Sequence, residues 1–61
     1  MKPANVLIVE DDPVISLFIK EVLSDEGYAI AGIARDTVSA MEKVEASEVD
    51  LIILDIHLEG K

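Results

Sequence analysis

Apolar residues follow two different rhythms along this chain. Two runs are continuous: Val6-Leu7-Ile8-Val9 passes directly into Glu10-Asp11-Asp12, and Leu51-Ile52-Ile53-Leu54 ends in Asp55. Short uninterrupted runs rich in Val and Ile predict strands buried on both faces, as in a parallel sheet covered by helices. After the first run the rhythm becomes helical. Val14, Ile15, Phe18, Ile19, Val22 and Leu23 recur at i, i+1, i+4, i+5, i+8 and i+9, which predicts one broad core-facing stripe with Ser16, Lys20, Glu21 and Ser24 in water. Asp12-Pro13 suits the helix entrance, because Asp caps free N–H groups and Pro is pre-set for the first helical position. Gly27 supplies a left-handed stop.

Residues 28–34 predict a second strand, with Ile30 and Ile33 among small residues; Gly32 inside it marks an edge or a close approach. Asp36-Thr37 offers a second cap, followed by a shorter stripe of Val38, Ala40, Met41 and Val44, with Met41 assigned to the core. That helix fades into Ala46-Ser47-Glu48. A third strand begins at Val49 or Leu51 and runs to Leu54. The order is β-α-β-α-β, an α/β chain. Right-handed crossovers that double back around the first strand give a parallel three-stranded sheet of order 2-1-3. The reversal places a switch point between the first and third strands, in the crevice where open α/β sheets bind ligands. Glu10, Asp11, Asp12 and Asp55 would meet at that rim, and crowded carboxylates repel unless a cation or a proton sits between them. The pattern therefore asks for a metal.

Composition narrows the choices. The chain has 61 residues, near the lower limit for folding alone, yet 51% are hydrophobic and there is no cysteine to brace them. Part of the apolar surface is expected to meet a partner. Five basic side chains against thirteen acidic ones give a net charge of −8, which disfavours direct contact with nucleic acid or anionic membrane. The apolar stretch after Met1 is too short for a signal-peptide core or a membrane span, so a cytoplasmic location is expected.

The segment Leu7-Ile8-Val9-Glu10-Asp11-Asp12-Pro13, together with Leu51-Ile52-Ile53-Leu54-Asp55, resembles the receiver domain of two-component response regulators. Gly27-Tyr28, Ala34-Arg35-Asp36 and Ala40 also look like that family. The resemblance covers the whole chain, residues 1–61, as the N-terminal half of a flavodoxin-like doubly wound receiver fold. It implies a phosphoacceptor in a phosphorelay, a substrate more than an enzyme, receiving phosphate from a histidine kinase or phosphotransfer protein. Carried over by position, Asp55 is the phosphoacceptor. Mg²⁺ would be held by Asp11 and Asp55, by Glu10 through a metal-bound water, and by the main-chain carbonyl of His57. The family's strand-four hydroxyl and strand-five lysine have no counterpart in these residues, and Lys61, six residues past Asp55 in a loop, does not fill the latter role. Thr37 stands where the family often has Gly.

Simpler roles compete at several positions. For Asp12 a helix cap is preferred to a metal ligand. The His57 side chain reads as an exposed loop residue, and Glu42, Glu45 and Glu48 as a solvated acidic face balanced in part by Lys43. A strand ending in acid also occurs in P-loop NTPases, but no G-x-x-x-x-G-K-[ST] is present to hold phosphates. A second functional reading is a truncated receiver fragment that homo-oligomerises through the third strand's edge without efficient phosphotransfer.

Overall fold

A computed structural model describes residues 3–55, with the Asp55 side chain outside that description. Strand β1 (Asn5–Glu10) is followed by α1 (Pro13–Asp25), β2 (Ala29–Ala34), α2 (Thr37–Ala46) and β3 (Leu51–Asp55). β1 lies at the centre of a parallel sheet of order β2-β1-β3, as expected from the two continuous apolar runs. Val6, Leu7, Ile8 and Val9 are fully buried because a central strand is covered on both faces. Each contributes about 1.5–3 kcal/mol from removal of its side chain from water, an upper bound set by the extended-chain reference.

Side chains alternate across a strand, so Leu7 and Val9 share one face while Val6, Ile8 and Glu10 share the other. Leu7 and Val9 form the core cluster with Ala34 and Ala40, and Val44 and Val49 pack against it. This is the α2 face. Both helices pack on β1 and β2.

The helix boundaries follow from local donors and acceptors. Asp12 caps α1, and Pro13 occupies its first position. At the other end the Tyr28 N–H donates to the Leu23 carbonyl at 3.0 Å and the Gly27 N–H to the Ser24 carbonyl at 3.1 Å, with Gly27 at φ +96°. This paired closure needs a left-handed residue, which only glycine adopts without strain. The lower end of the sheet is tied by Asn5, whose N–H donates to Asp50 Oδ2 at 2.7 Å and whose side-chain amide donates to the Glu48 carbonyl.

The buried face of α1 differs from the expected stripe. Ser16, expected in water, is 4% exposed, while Val14, Phe18 (67%) and Val22 are exposed. Ile15, Ile19 and Leu23 remain half-buried. The apolar arc on this helix is wider than the face it lays on β1 and β2, and the helix is rotated so that Ser16 is covered. A small side chain fits there, and its hydroxyl donates internally to the Pro13 carbonyl at 2.9 Å. Met41 also departs from its expected core position, at 62% exposed, and Val38 is exposed beside it. α2 buries only the line through Ala40 and Val44.

Gly32 lies on an edge strand and also meets a close approach, the two settings its place in the run suggested. A Cβ there would lie 3.2 Å from Lys43 Cδ, so the aliphatic stem of Lys43 lies across the strand where a side chain would stand. The register jumps here as well, from Val6 opposite Ile30 to Leu7 opposite Gly32. Ala31 is the extra residue, and β2 is an edge strand that tolerates it. β3 is covered less well, with Leu51, Ile52 and Leu54 (64%) exposed.

Candidate functional site

The acidic rim is built by the end of β1 and the two-residue turn into α1. Glu10, the last residue of β1, is 2% exposed, and its Oε2 accepts from the Asp12 N–H at 2.9 Å. Asp12 is held at three points. Its N–H goes to Glu10, its Oδ1 accepts from the Val14 and Ile15 N–H groups at 2.9 and 3.3 Å, and its carbonyl accepts from the Ser16 N–H at 2.9 Å. The cap reading of Asp12 therefore agrees with the structure. Asp11 sits between these two anchored residues with an exposed side chain.

β1 and β3 run in the same direction, in a register that pairs Val6 with Leu51 and Glu10 with Asp55. Neighbouring strands lie about 4.8 Å apart, so the backbone of Asp55 adjoins that of Glu10 and stands one residue from the turn carrying Asp11. The two acid-tipped runs thus converge on one edge. The Asp55 side chain and His57 lie outside the described residues. Among the described residues no group of three or more His, Cys, Asp or Glu side chains gathers as a metal site. The donors at this rim, Glu10 and Asp11, are carboxylates, a set that suits a hard divalent cation such as Mg²⁺ and not a soft one.

A cleft of about 360 Å³ opens beside the rim, lined by Glu10, Asp11 and Ser16 and also by Arg35, Ser39 and Lys43. It lies on the β2 side of β1, a second flank of the same rim beside the β1–β3 crevice to which the sequence points. Sequence reasoning missed this side because Ser16 falls at a position that helical periodicity assigns to water. Arg35 and Ser39 belong to the entrance of α2. There Asp36 Oδ1 accepts from the Ser39 N–H at 2.8 Å and from its hydroxyl at 2.9 Å. The Ser39 N–H, then its hydroxyl, hold the Asp36 carboxyl below its ordinary pKa, with the charge of Arg35 adding to the effect.

Among the described residues no helix is long and apolar enough to cross a membrane. The family model for the response regulator receiver domain matches residues 6–61. The transcriptional regulatory protein MalR of Bacillus subtilis is 45% identical over 58 residues, covering 93% of this chain and 25% of that protein. The transcriptional regulatory protein PdtaR of Mycobacterium tuberculosis is 41% identical over 56 residues, covering 92% of this chain and 27% of its own length. The nitrogen assimilation regulatory protein NtrX of Azorhizobium caulinodans is 45% identical over 56 residues, covering 92% of this chain and 12% of its own length. The chain thus spans about a quarter or less of these relatives. No solved structure gives a significant match. With a parallel β2-β1-β3 sheet, an acidic turn closing β1 and the register that brings Asp55 beside it, the chain belongs to the receiver domain family of two-component response regulators.

Proposed function

We propose that these residues form the N-terminal half of a receiver domain that accepts a phosphoryl group on Asp55 from the phosphohistidine of a histidine kinase or phosphotransfer protein. The observation that carries this reading is the pairing of Glu10 with Asp55 in the β1–β3 ladder, next to the turn holding Asp11. Family membership supplies the reaction class.

In the proposed transfer a carboxylate oxygen of Asp55 forms a bond to phosphorus while the bond from phosphorus to the donor imidazole nitrogen breaks, and the leaving ring takes up a proton. Asp11 and Asp55 would ligate Mg²⁺ directly, Glu10 would reach it through water, and the His57 main-chain carbonyl would complete the protein's share. A divalent cation there neutralises charge on the transferring group. The chain's own contribution is placement: Asp11 is presented from a turn anchored on both sides, and Asp55 from a strand locked in register with β1.

The test is phosphoryl incorporation from a small phosphodonor with Mg²⁺, read by intact mass. Slow labelling of the wild-type chain that is lost in Asp55→Asn is expected, since a polypeptide of these 61 residues carries neither the family's strand-four hydroxyl nor its strand-five lysine. Equal labelling of both chains, or labelling of neither, overturns the proposal.

A second reading rests on the exposed Leu51, Ile52 and Leu54, which leave both faces of β3 apolar. A fragment of this kind would homo-oligomerise through β3 without efficient phosphotransfer. Light scattering from a folded monomer at high concentration removes it.

A further inference from the structure

We infer that Glu10 is a positioning residue for Asp11, acting through the backbone of the turn in addition to any contact with a metal-bound water. This rests on the reading of the acidic rim as the metal site and deepens it. The resemblance gives Glu10 one role, charge delivered at a distance through water. The structure shows a different engagement, with Oε2 accepting the Asp12 N–H at 2.9 Å while the residue is 2% exposed.

Three observations make this more than a local contact. Glu10 stands on the β1–β3 ladder opposite Asp55, so its backbone is held by the sheet. Asp12 is committed on its far side to α1, through the Val14 and Ile15 N–H groups and the Ser16 N–H. The Glu10 side chain closes the gap between strand and helix. Among the described residues, that hydrogen bond is what ties the N–H of the peptide joining Asp11 to Asp12 back to the strand. Burial strengthens the contact, because a polar group removed from water costs free energy unless its hydrogen bonds are kept. Asp11, whose own side chain is exposed, thus takes its direction from its neighbours on either side.

Two substitutions separate this role from charge. Glu10→Gln keeps a carbonyl oxygen that accepts from the Asp12 N–H but removes the charge. Glu10→Met keeps the length and fills the buried space but accepts nothing. Both are compared with wild type by ¹⁵N relaxation and amide exchange in metal-free buffer, then by titration with MgCl₂.

The Asp12 amide in wild type and Glu10→Gln is expected to be protected from exchange, with Asp11 as rigid as β1. In Glu10→Met the Asp12 amide exchanges about fivefold faster and Mg²⁺ binds about fivefold more weakly than in Glu10→Gln, the change that one net hydrogen bond of ~1 kcal/mol provides. Equal Mg²⁺ affinity in the two variants, or equal Asp12 protection, overturns the inference. So does a wild-type Asp12 amide that exchanges at open-chain rate, a result independent of whether Glu10→Met folds. If wild type binds no Mg²⁺, the metal reading fails by itself, and the metal-free exchange and relaxation data still decide whether Glu10 holds the turn.

Discussion

Removing the cap at Asp12 isolates what this side chain does. Pro13 has no N–H and the Ser16 N–H is satisfied by the Asp12 carbonyl, so only the Val14 and Ile15 donors in the first turn of α1 need a side-chain acceptor. Asp12 Oδ1 takes both, at 2.9 and 3.3 Å. Asp12→Ala leaves both to water, and the expected loss is about 1 kcal/mol, within the usual range for cap removal. Asp12→Asn keeps an equivalent oxygen and loses only the charge near the positive end of the helix, a few tenths of a kcal/mol that salt screens. For a polypeptide of these 61 residues folding as a unit, the folding free energy is on the order of 3–9 kcal/mol, and the alanine loss corresponds to roughly 4–8 °C in Tm. The assay is thermal and urea unfolding followed by far-ultraviolet circular dichroism, at low salt and at high salt. Alanine is expected to remain destabilised in both, with asparagine returning to wild type at high salt. If the two substitutions lose equally at high salt, or neither loses, Asp12 is not acting as a cap.

Three further outcomes are expected. Ile8→Ala, at a fully buried side chain in the central strand, costs about 2–5 kcal/mol, whereas Phe18→Ala, largely exposed, costs under about 1 kcal/mol; urea midpoints in the reverse order would contradict the observed orientation of α1. Gly27→Ala costs about 1 kcal/mol or more for conformational reasons alone, since φ is +96° and, its chain neighbours aside, no described residue lies within 4 Å of the added Cβ; an unchanged Tm would show that the helix end relaxes freely. The Asp36 carboxyl, lowered chiefly by the Ser39 N–H, titrates below its unfolded value, so its stabilising contribution is complete above the unfolded pKa and is lost as pH falls through the folded one. That window opens below about pH 4. Carbon-13 titration of the Asp36 side chain should show the lowered midpoint and Ser39→Ala should raise it; a wild-type midpoint at the ordinary aspartate value would sink this account.

What could be read from the chain alone was whatever depends on neighbours a few residues away. Val6 to Val9 and Leu51 to Leu54 announce buried strands because no polar side chain interrupts them. Asp12-Pro13, Asp36-Thr37 and Gly27 mark helix ends because caps are made within a turn or so of chain. Right-handed crossover then leaves few arrangements for three parallel strands, and 2-1-3 is the one found. The convergence of the two acidic tips follows from that order, and the roles of Asp55 and His57 came from family resemblance.

Tertiary structure decided which part of each apolar surface is used. The wide arc on α1 permits several rotations about its axis. Its packing on β1 and β2 selected the one that covers Ser16 and leaves Val14, Phe18 and Val22 outside. Met41 was misjudged for the same reason, since helical period gives a stripe's spacing but not the width of the face opposite it. The bulge at Ala31 and the Lys43 stem over Gly32 depend on how strands and helices meet, and no period in the sequence encodes those meetings. Local chemistry determined the elements, their ends and the turn that carries Asp11, because those bonds span two or three residues, while the faces the elements share came only from packing, which depends on residues distant in the chain.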